Sequence, residues 1–157
     1  SLSGSLAFEQ SYGGIDGDSA SLAELIVLLS AIADIPVAQN LSITGSMNQK
    51  GEVQPIGGVN QKIEGFYKVC QEKGITGDQG VVIPKQNLDN LMLKQEVREA
   101  VAEDEFHVYK VSEIDEAIEI MLNKPAQEVH EEVREVLQEY AEKAMKMKNK
   151  NKEQDEQ

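Results

Sequence analysis

Two residues of this chain have the types and surroundings of a nucleophile and its base. Ser19 lies in Gly17-Asp18-Ser19-Ala20-Ser21 at the head of an apolar run, and Lys62 follows Pro55-Ile56-Gly57-Gly58, 43 positions beyond the serine. A serine hydroxyl becomes a good nucleophile when a base takes its proton, and a lysine amine can be that base only while neutral. A serine in the first turn of a helix also has unpaired backbone N–H groups and the positive end of the helix dipole beside it. The N–H groups of Asp18 and Ser19 are then candidates to receive the oxyanion of a tetrahedral intermediate. Each residue has an ordinary reading as well. Serine is a frequent helix N-cap, and a lysine on an apolar face commonly packs its stem there and lifts its head into water. On a helix opening at Gly58, Lys62 shares a stripe with Val59, Phe66 and Val69. Desolvation in such a stripe would favour the neutral amine.

The elements that must position this pair follow from periodicity and breakers. Residues 6–10 have an extended look, and Tyr12-Gly13-Gly14-Ile15-Asp16-Gly17 is a glycine-rich loop leading to Ser19. Residues 19–33 are strong helix formers, apolar on nearly every face and stopped by Pro36, so a buried helix is expected. Residues 41–45 alternate apolar and hydroxyl side chains, 47–51 supply turn residues and 52–56 extend again, which suits a hairpin-like pair. Val59, Ile63, Phe66 or Tyr67, and Cys70 recur at the helical period, with Gly74 as C-terminal cap. Gly80-Val81-Val82-Ile83-Pro84 reads as a buried strand, residues 88–101 as a helix through Leu91, Met92, Val97 and Val101, and residues 106–111 as a strand. Ser112-Glu113-Ile114-Asp115 resembles a capping box for a helix bearing Ile114, Ala117, Ile118 and Met121. Past Pro125, Val129, Val133, Val136, Leu137, Tyr140 and Ala144 form a helical stripe that suits packing on the domain or on a neighbouring subunit. Residues 146–157 are almost wholly polar and are expected to be disordered. The expected organisation is one α/β (α+β) domain over residues 1–124 and a helical, then disordered, tail over 125–157.

Composition narrows the chemistry. A chain of 157 residues with 40% hydrophobic content holds one core. Residues 1–122 carry 8 Lys and Arg against 19 Asp and Glu, so phosphate backbones and anionic lipid are repelled; neither nucleic acid nor a membrane is an expected partner. Cys70 is the single cysteine and suits a reducing cytosol. No basic-then-apolar signal segment opens the chain, and the longest nearly apolar stretch, residues 20–33, is too short to span a bilayer and contains Glu24. A cytoplasmic protein is expected. A triad of Ser19 with His107 or His130 is formally possible, but neither histidine has a motif around it. One cysteine and two scattered histidines make no metal cluster. The Gly57-Gly58 pair lacks a Walker-type lysine pattern and is expected to serve the start of a helix and tight packing.

Separated motifs in a fixed order resemble a known family. Gly17-Asp18-Ser19-Ala20, Ile43-Thr44-Gly45, Gly51-Glu52-Val53-Gln54-Pro55-Ile56-Gly57-Gly58, Lys62 and Val82-Ile83-Pro84 resemble the proteolytic domain of the Lon family of ATP-dependent serine proteases. The likeness runs from about Ser5 to Leu122. The approach Phe8-Glu9-Gln10-Ser11-Tyr12-Gly13-Gly14-Ile15-Asp16-Gly17-Asp18 is more similar to the B-type branch of archaea and some bacteria than to the proline-rich common bacterial branch.

The resemblance implies a serine endopeptidase with a Ser–Lys dyad: Ser19 as nucleophile, Lys62 as general base, and Thr44 holding the lysine amine. Asp16 and Glu9 align with acidic residues that flank the site. It implies small sheets packed with helices, unfolded or damaged proteins as substrates, and a homo-oligomeric ring, usually of six. It also implies an AAA+ ATPase module in the same polypeptide, where ATP and magnesium bind; no cofactor is expected in this chain. Only 18 residues precede Ser19, so a piece truncated on its N-terminal side, without the family's early strands, is expected. The alternative is a non-catalytic domain of the same fold used for oligomerisation or docking, which has no need to keep both Ser19 and Lys62.

Overall fold

The computed structural model describes residues 4–7 and 17–155, with side chains to residue 147. Glu9, Asp16 and nearly all of the glycine-rich loop lie outside the described residues, as do residues 8–10 of the expected extended segment; residues 6 and 7 are in neither helix nor strand.

Five helices, five strands and a 3-10 turn make up the described chain: α1 (Ser21–Ala33), β1 (Leu41–Ile43), β2 (Ser46–Met47), β3 (Val53–Gln54), α2 (Val59–Lys73), β4 (Gly80–Pro84), the turn Lys85–Asn90, α3 (Gln95–Ala102), β5 (His107–Val111), α4 (Ile114–Leu122) and α5 (Ala126–Asp155). The parallel sheet has the order β1-β4-β5, with Leu41 opposite Gly80 and Gly80 opposite His107. β4 is central and buried along its whole length, as its unbroken apolar run requires. Its alternating side chains divide the interior into two cores. Val82 joins Leu22, Ile26, Ala117, Ile118 and Val129 on the α1, α4 and α5 face, whereas Val81 and Ile83 join Ile63, Tyr67, Val97 and Phe106 on the α2 and α3 face. A Cβ on Gly80 would lie 2.6 Å from the His107 carbonyl oxygen and 2.9 Å from the Tyr109 ring, so only glycine lets β4 start beside β5.

The hairpin lies further along the chain than the sequence suggests. Residues 41–43 pair with β4 instead, and the antiparallel ribbon is β2 with β3, Ser46 opposite Gln54. The core side chains Leu41 and Ile43 are satisfied by the parallel sheet, which leaves the hairpin to the residues nearest the turn. The start of α4 pins this ribbon: Val53 N–H donates to the Ser112 carbonyl at 2.8 Å and Ile114 N–H to that of Gly51 at 3.0 Å. The capping box of α4 is consequently Glu113 with Glu116, one residue later than expected, because the Ser112 carbonyl is bound to β3.

Three further expectations change. α1 buries Leu22, Ile26 and Leu29 but exposes Val27 and Leu28, so it has one buried face, not all of them. Residues 88–101 are not one helix: a 3-10 turn ends at Asn90, and Met92 and Lys94 give their N–H groups to Asn60 Oδ1 and Glu64 Oε1, both at 3.0 Å. Those donors are thereby withdrawn from helical bonding until α3 begins. The polar end of the chain continues as helix to Asp155. Its lysines, glutamates and glutamines are good helix formers, and the Lys143–Glu139 pair supports the turn that leads into it. The first part of the α5 stripe packs on the domain itself, with Ala126, Val129 and Val133 buried beside α1 and α4 and Leu137 partly buried, whereas Tyr140 and Ala144 are exposed. No described helix is long and apolar enough to cross a membrane.

Candidate active site

The site forms where the chain leaves β1. Thr44 N–H donates to the Val82 carbonyl at 3.0 Å, extending the β1–β4 register by one residue, and the next N–H, from Gly45, donates to the Ser19 carbonyl at 3.0 Å. The Gly45 carbonyl accepts from Leu22 N–H at 3.2 Å. Gly45 sits so close to α1 that a Cβ there would meet Leu22 Cδ2 at 3.0 Å. Further ties come from β2: Ser46 Oγ donates to Asp18 Oδ2 at 2.8 Å and Met47 N–H to Ser21 Oγ at 3.2 Å. The backbone around Ser19 is thus tied to residues 44–47. Ser19 is not a helix cap, for α1 starts at Ser21 with Ala20 as N-cap and no side-chain cap bond.

Lys62 approaches from the opposite face of the sheet. Gly58 opens α2 in the left-handed region, φ +67°, which favours glycine, and nothing lies within 4 Å of a Cβ built at Gly57. The pair therefore serves the helix start, and tight packing is not part of its role. One turn in, Lys62 Nζ lies 2.8 Å from Ser19 Oγ and 3.1 Å from Thr44 Oγ1. Thr44 Oγ1 in turn donates to the Ser19 carbonyl at 3.1 Å. That donation fixes the meaning of the other contact. A hydroxyl has one proton, and Thr44 has given its own to Ser19, so its oxygen can only accept from Lys62. A neutral amine that gives one N–H to Thr44 keeps its lone pair free to point at Ser19 Oγ.

The cleft over these groups holds about 310 Å³ and is lined by Ser19, Ala20, Ala23, Ser42, Ile43, Thr44, Lys62 and Val81. Lys62 is exposed in it, contrary to the desolvated position its stripe suggested. The buried face of α2 is Val59, Ile63, Tyr67 and Cys70, while Val69 is turned outward and 43% exposed. Lys62 stands beside the buried face and not within it, and from that border it lies against the serine.

The two histidines are engaged elsewhere, each bound to groups outside the cleft. His107 Nε2–H donates to the Gly77 carbonyl at 2.8 Å, and His130 Nε2 lies 2.8 Å from Asp115 Oδ1. Cys70 is free and buried, and burial pushes its thiol pKa up. Among the described residues no group of three His, Cys, Asp or Glu side chains could hold a metal.

Sequence reading missed Asn87. Its carboxamide is buried and takes both backbone groups of Ile56: Oδ1 accepts from the Ile56 N–H at 3.1 Å and Nδ2 donates to the Ile56 carbonyl at 2.9 Å. The Asn and Asp residues at positions 87, 89 and 90, just after Pro84, were the available sign of a turn there.

A three-layer α/β domain with a serine, a lysine and a threonine converging at the end of an edge strand is the class that fold and geometry define. The family model for the Lon protease (S16) C-terminal proteolytic domain matches residues 13–124, and the chain belongs to the Lon protease family. Among its relatives are two proteins named "Putative Lon protease homolog". That of Escherichia coli (strain K12) is 51% identical over 122 residues, 78% of this chain and 21% of the relative. That of Haemophilus influenzae is 52% identical over 123 residues, 78% of this chain and 20% of the relative. An "Archaeal Lon protease" of Halobacterium salinarum is 40% identical over 110 residues, 70% of this chain and 14% of the relative. Such archaeal relatives agree with the B-type branch. The chain spans about a fifth of the length of the first two relatives.

Proposed function

We propose that this chain is the serine endopeptidase domain of an ATP-dependent Lon-type protease, with Ser19 as nucleophile and Lys62 as general base. The observation that carries the reading is the 2.8 Å separation of Lys62 Nζ from Ser19 Oγ in a chain of this family. Ser19 Oγ attacks the peptide carbonyl carbon as its proton passes to Lys62, and the oxyanion is received by the N–H groups of Asp18 and Ser19. The intermediate collapses, the C–N bond breaks, and Lys62 returns the proton to the departing amine. Water then attacks the acyl ester by the same route, giving a carboxylate product and restoring Ser19. Thr44 orients the amine, and Glu9 and Asp16 act on the site from the segment before Ser19.

The substrates in this reading are unfolded or damaged cytoplasmic proteins, delivered by an AAA+ module that binds ATP and magnesium outside this chain. Enclosure of the sites in a homo-oligomeric ring would keep folded proteins away from them. Turnover of an unfolded protein by the whole enzyme tests the assignment. Ser19→Ala and Lys62→Ala should each abolish hydrolysis while leaving ATP hydrolysis in place, and normal turnover by either variant refutes it. Sedimentation of the whole protein tests the ring, which a monomer at micromolar concentration would refute.

A further inference from the structure

We infer that Asn87 is a positioning residue for Lys62, because its buried carboxamide clamps Ile56 at the approach to the helix that carries the lysine. The inference rests on the dyad reading above. It starts from what α2 lacks. Its N-cap is a glycine at φ +67° with no side-chain cap bond, so the residues around Gly58 leave the angle at which the chain enters the helix weakly fixed. The preceding segment, Pro55 to Gly58, lies between β3 and α2 and belongs to neither sheet.

What fixes it is the segment that follows β4. Asn87 is 8% exposed and presents an acceptor and a donor in one plane to the N–H and C=O of a single residue, Ile56, at 3.1 and 2.9 Å. The neighbouring Gln86 Nε2 donates to the Val53 carbonyl at 3.2 Å, holding the end of the hairpin from the same turn. Met92 and Lys94 then bind the side chains of Asn60 and Glu64, on either side of Lys62 in sequence. Residues 86–94 therefore run along the first turns of α2 as a cradle. Asn87 is its buried member, and it is attached directly to the central strand through Lys85 and Pro84. Of the side chains that could fill this place, aspartate has only acceptors when ionised and opposes the Ile56 carbonyl, while alanine leaves both backbone groups without their partner. Either change loosens the approach to α2, and Lys62 Nζ has to stay within hydrogen-bond reach of two hydroxyl groups at once. A shift of about 1 Å at a reacting group can cost on the order of a hundred-fold in rate.

The experiment compares whole-protein variants on a short unstructured peptide. Asn87→Asp and Asn87→Ala should lower kcat about ten-fold or more with KM changed by less than about two-fold. Hydrogen exchange at the Ile56 amide should quicken in both. Val97→Ala, a cavity in the same core, supplies the comparison for a merely structural loss and should keep kcat within about two-fold below its melting temperature. Asn87 variants whose kcat is unchanged, or falls no further than that of Val97→Ala at equal stability, overturn the inference. So does failure of both Asn87 variants to fold, since a positioning role requires a folded enzyme. Full turnover by Ser19→Ala or Lys62→Ala would instead overturn the dyad reading; inactivity of both with normal Asn87 variants refutes the Asn87 inference alone.

Discussion

Thr44→Val isolates the hydroxyl that joins the serine backbone to the lysine. Valine nearly matches threonine in shape, and position 44 is only 7% exposed, so the backbone should stay in place. Two hydrogen bonds disappear, the one given to the Ser19 carbonyl and the one accepted from Lys62. The Ser19 carbonyl keeps the Gly45 N–H at 3.0 Å, so no buried acceptor is orphaned. The stability cost is then about 1 kcal/mol, a fall of about 2–4 °C in Tm. In the proposed mechanism the effect on rate is larger, because Lys62 carries the proton taken from Ser19 at the tetrahedral intermediate. A hydrogen bond to a charged group contributes about 1.5–3 kcal/mol, and Lys62 is exposed, so the lower end applies. That corresponds to about a ten-fold loss in kcat. Thr44→Ser restores the hydroxyl and should remain within about three-fold of the natural protein. Peptide turnover and thermal melts of both variants are the measurements. If Thr44→Val keeps full kcat, or Thr44→Ser falls as far, the threonine does not hold the amine.

Other perturbations probe the frame around the site. Gly45→Ala puts a methyl 3.0 Å from Leu22 Cδ2; overpacking of about 1–3 kcal/mol should appear in denaturant melts, with kcat reduced because Leu22 and Ser19 share one anchor. Gly80→Ala, with its Cβ 2.6 Å from a backbone oxygen, should cost about 3 kcal/mol or more, whereas Gly65→Ala, with nothing within 4 Å, should gain about 0.5–1 kcal/mol in mid-helix; equal melts for the two would refute the close approach of β4 and β5. Burial raises the Cys70 thiol pKa, so the unfolded chain loses this proton first as pH rises. Its contribution is complete below the ordinary thiol pKa and is lost as pH climbs through the raised value. Stability should therefore decline in alkali less steeply in Cys70→Ala than in the natural protein, as urea melts across that range would show.

The pairing of Ser19 with Lys62 was legible because the two residues sit in short motifs whose order resembles a known family, and the elements around them follow simple patterns. The α2 face and the apolar β4 run both emerged in place. What remained hidden depended on distant partners. Residues 91–94 look helical until Asn60 and Glu64, some thirty residues earlier, take the N–H groups of Met92 and Lys94. Asn87 carries no local sign of pairing with Ile56, and the exposure of Lys62 is decided by where α2 lies against the sheet. Periodicity identifies the faces of a helix; it does not say which side chain at the border meets the neighbouring element.

The parallel arrangement of β1 and β4 has a consequence for the newly made chain. Leu41 and Gly80 must find each other across an intervening hairpin and helix before the sheet exists, a closure slower than any local contact. Ser19, in the turn before α1, and Lys62, in the first turns of α2, come from opposite faces of that sheet and meet only at the end of β1. A nascent or misfolded chain consequently holds an ordinary serine and an ordinary lysine, with nothing to join them. The parallel topology is thus a safety catch on the proposed dyad, set until the sheet has closed.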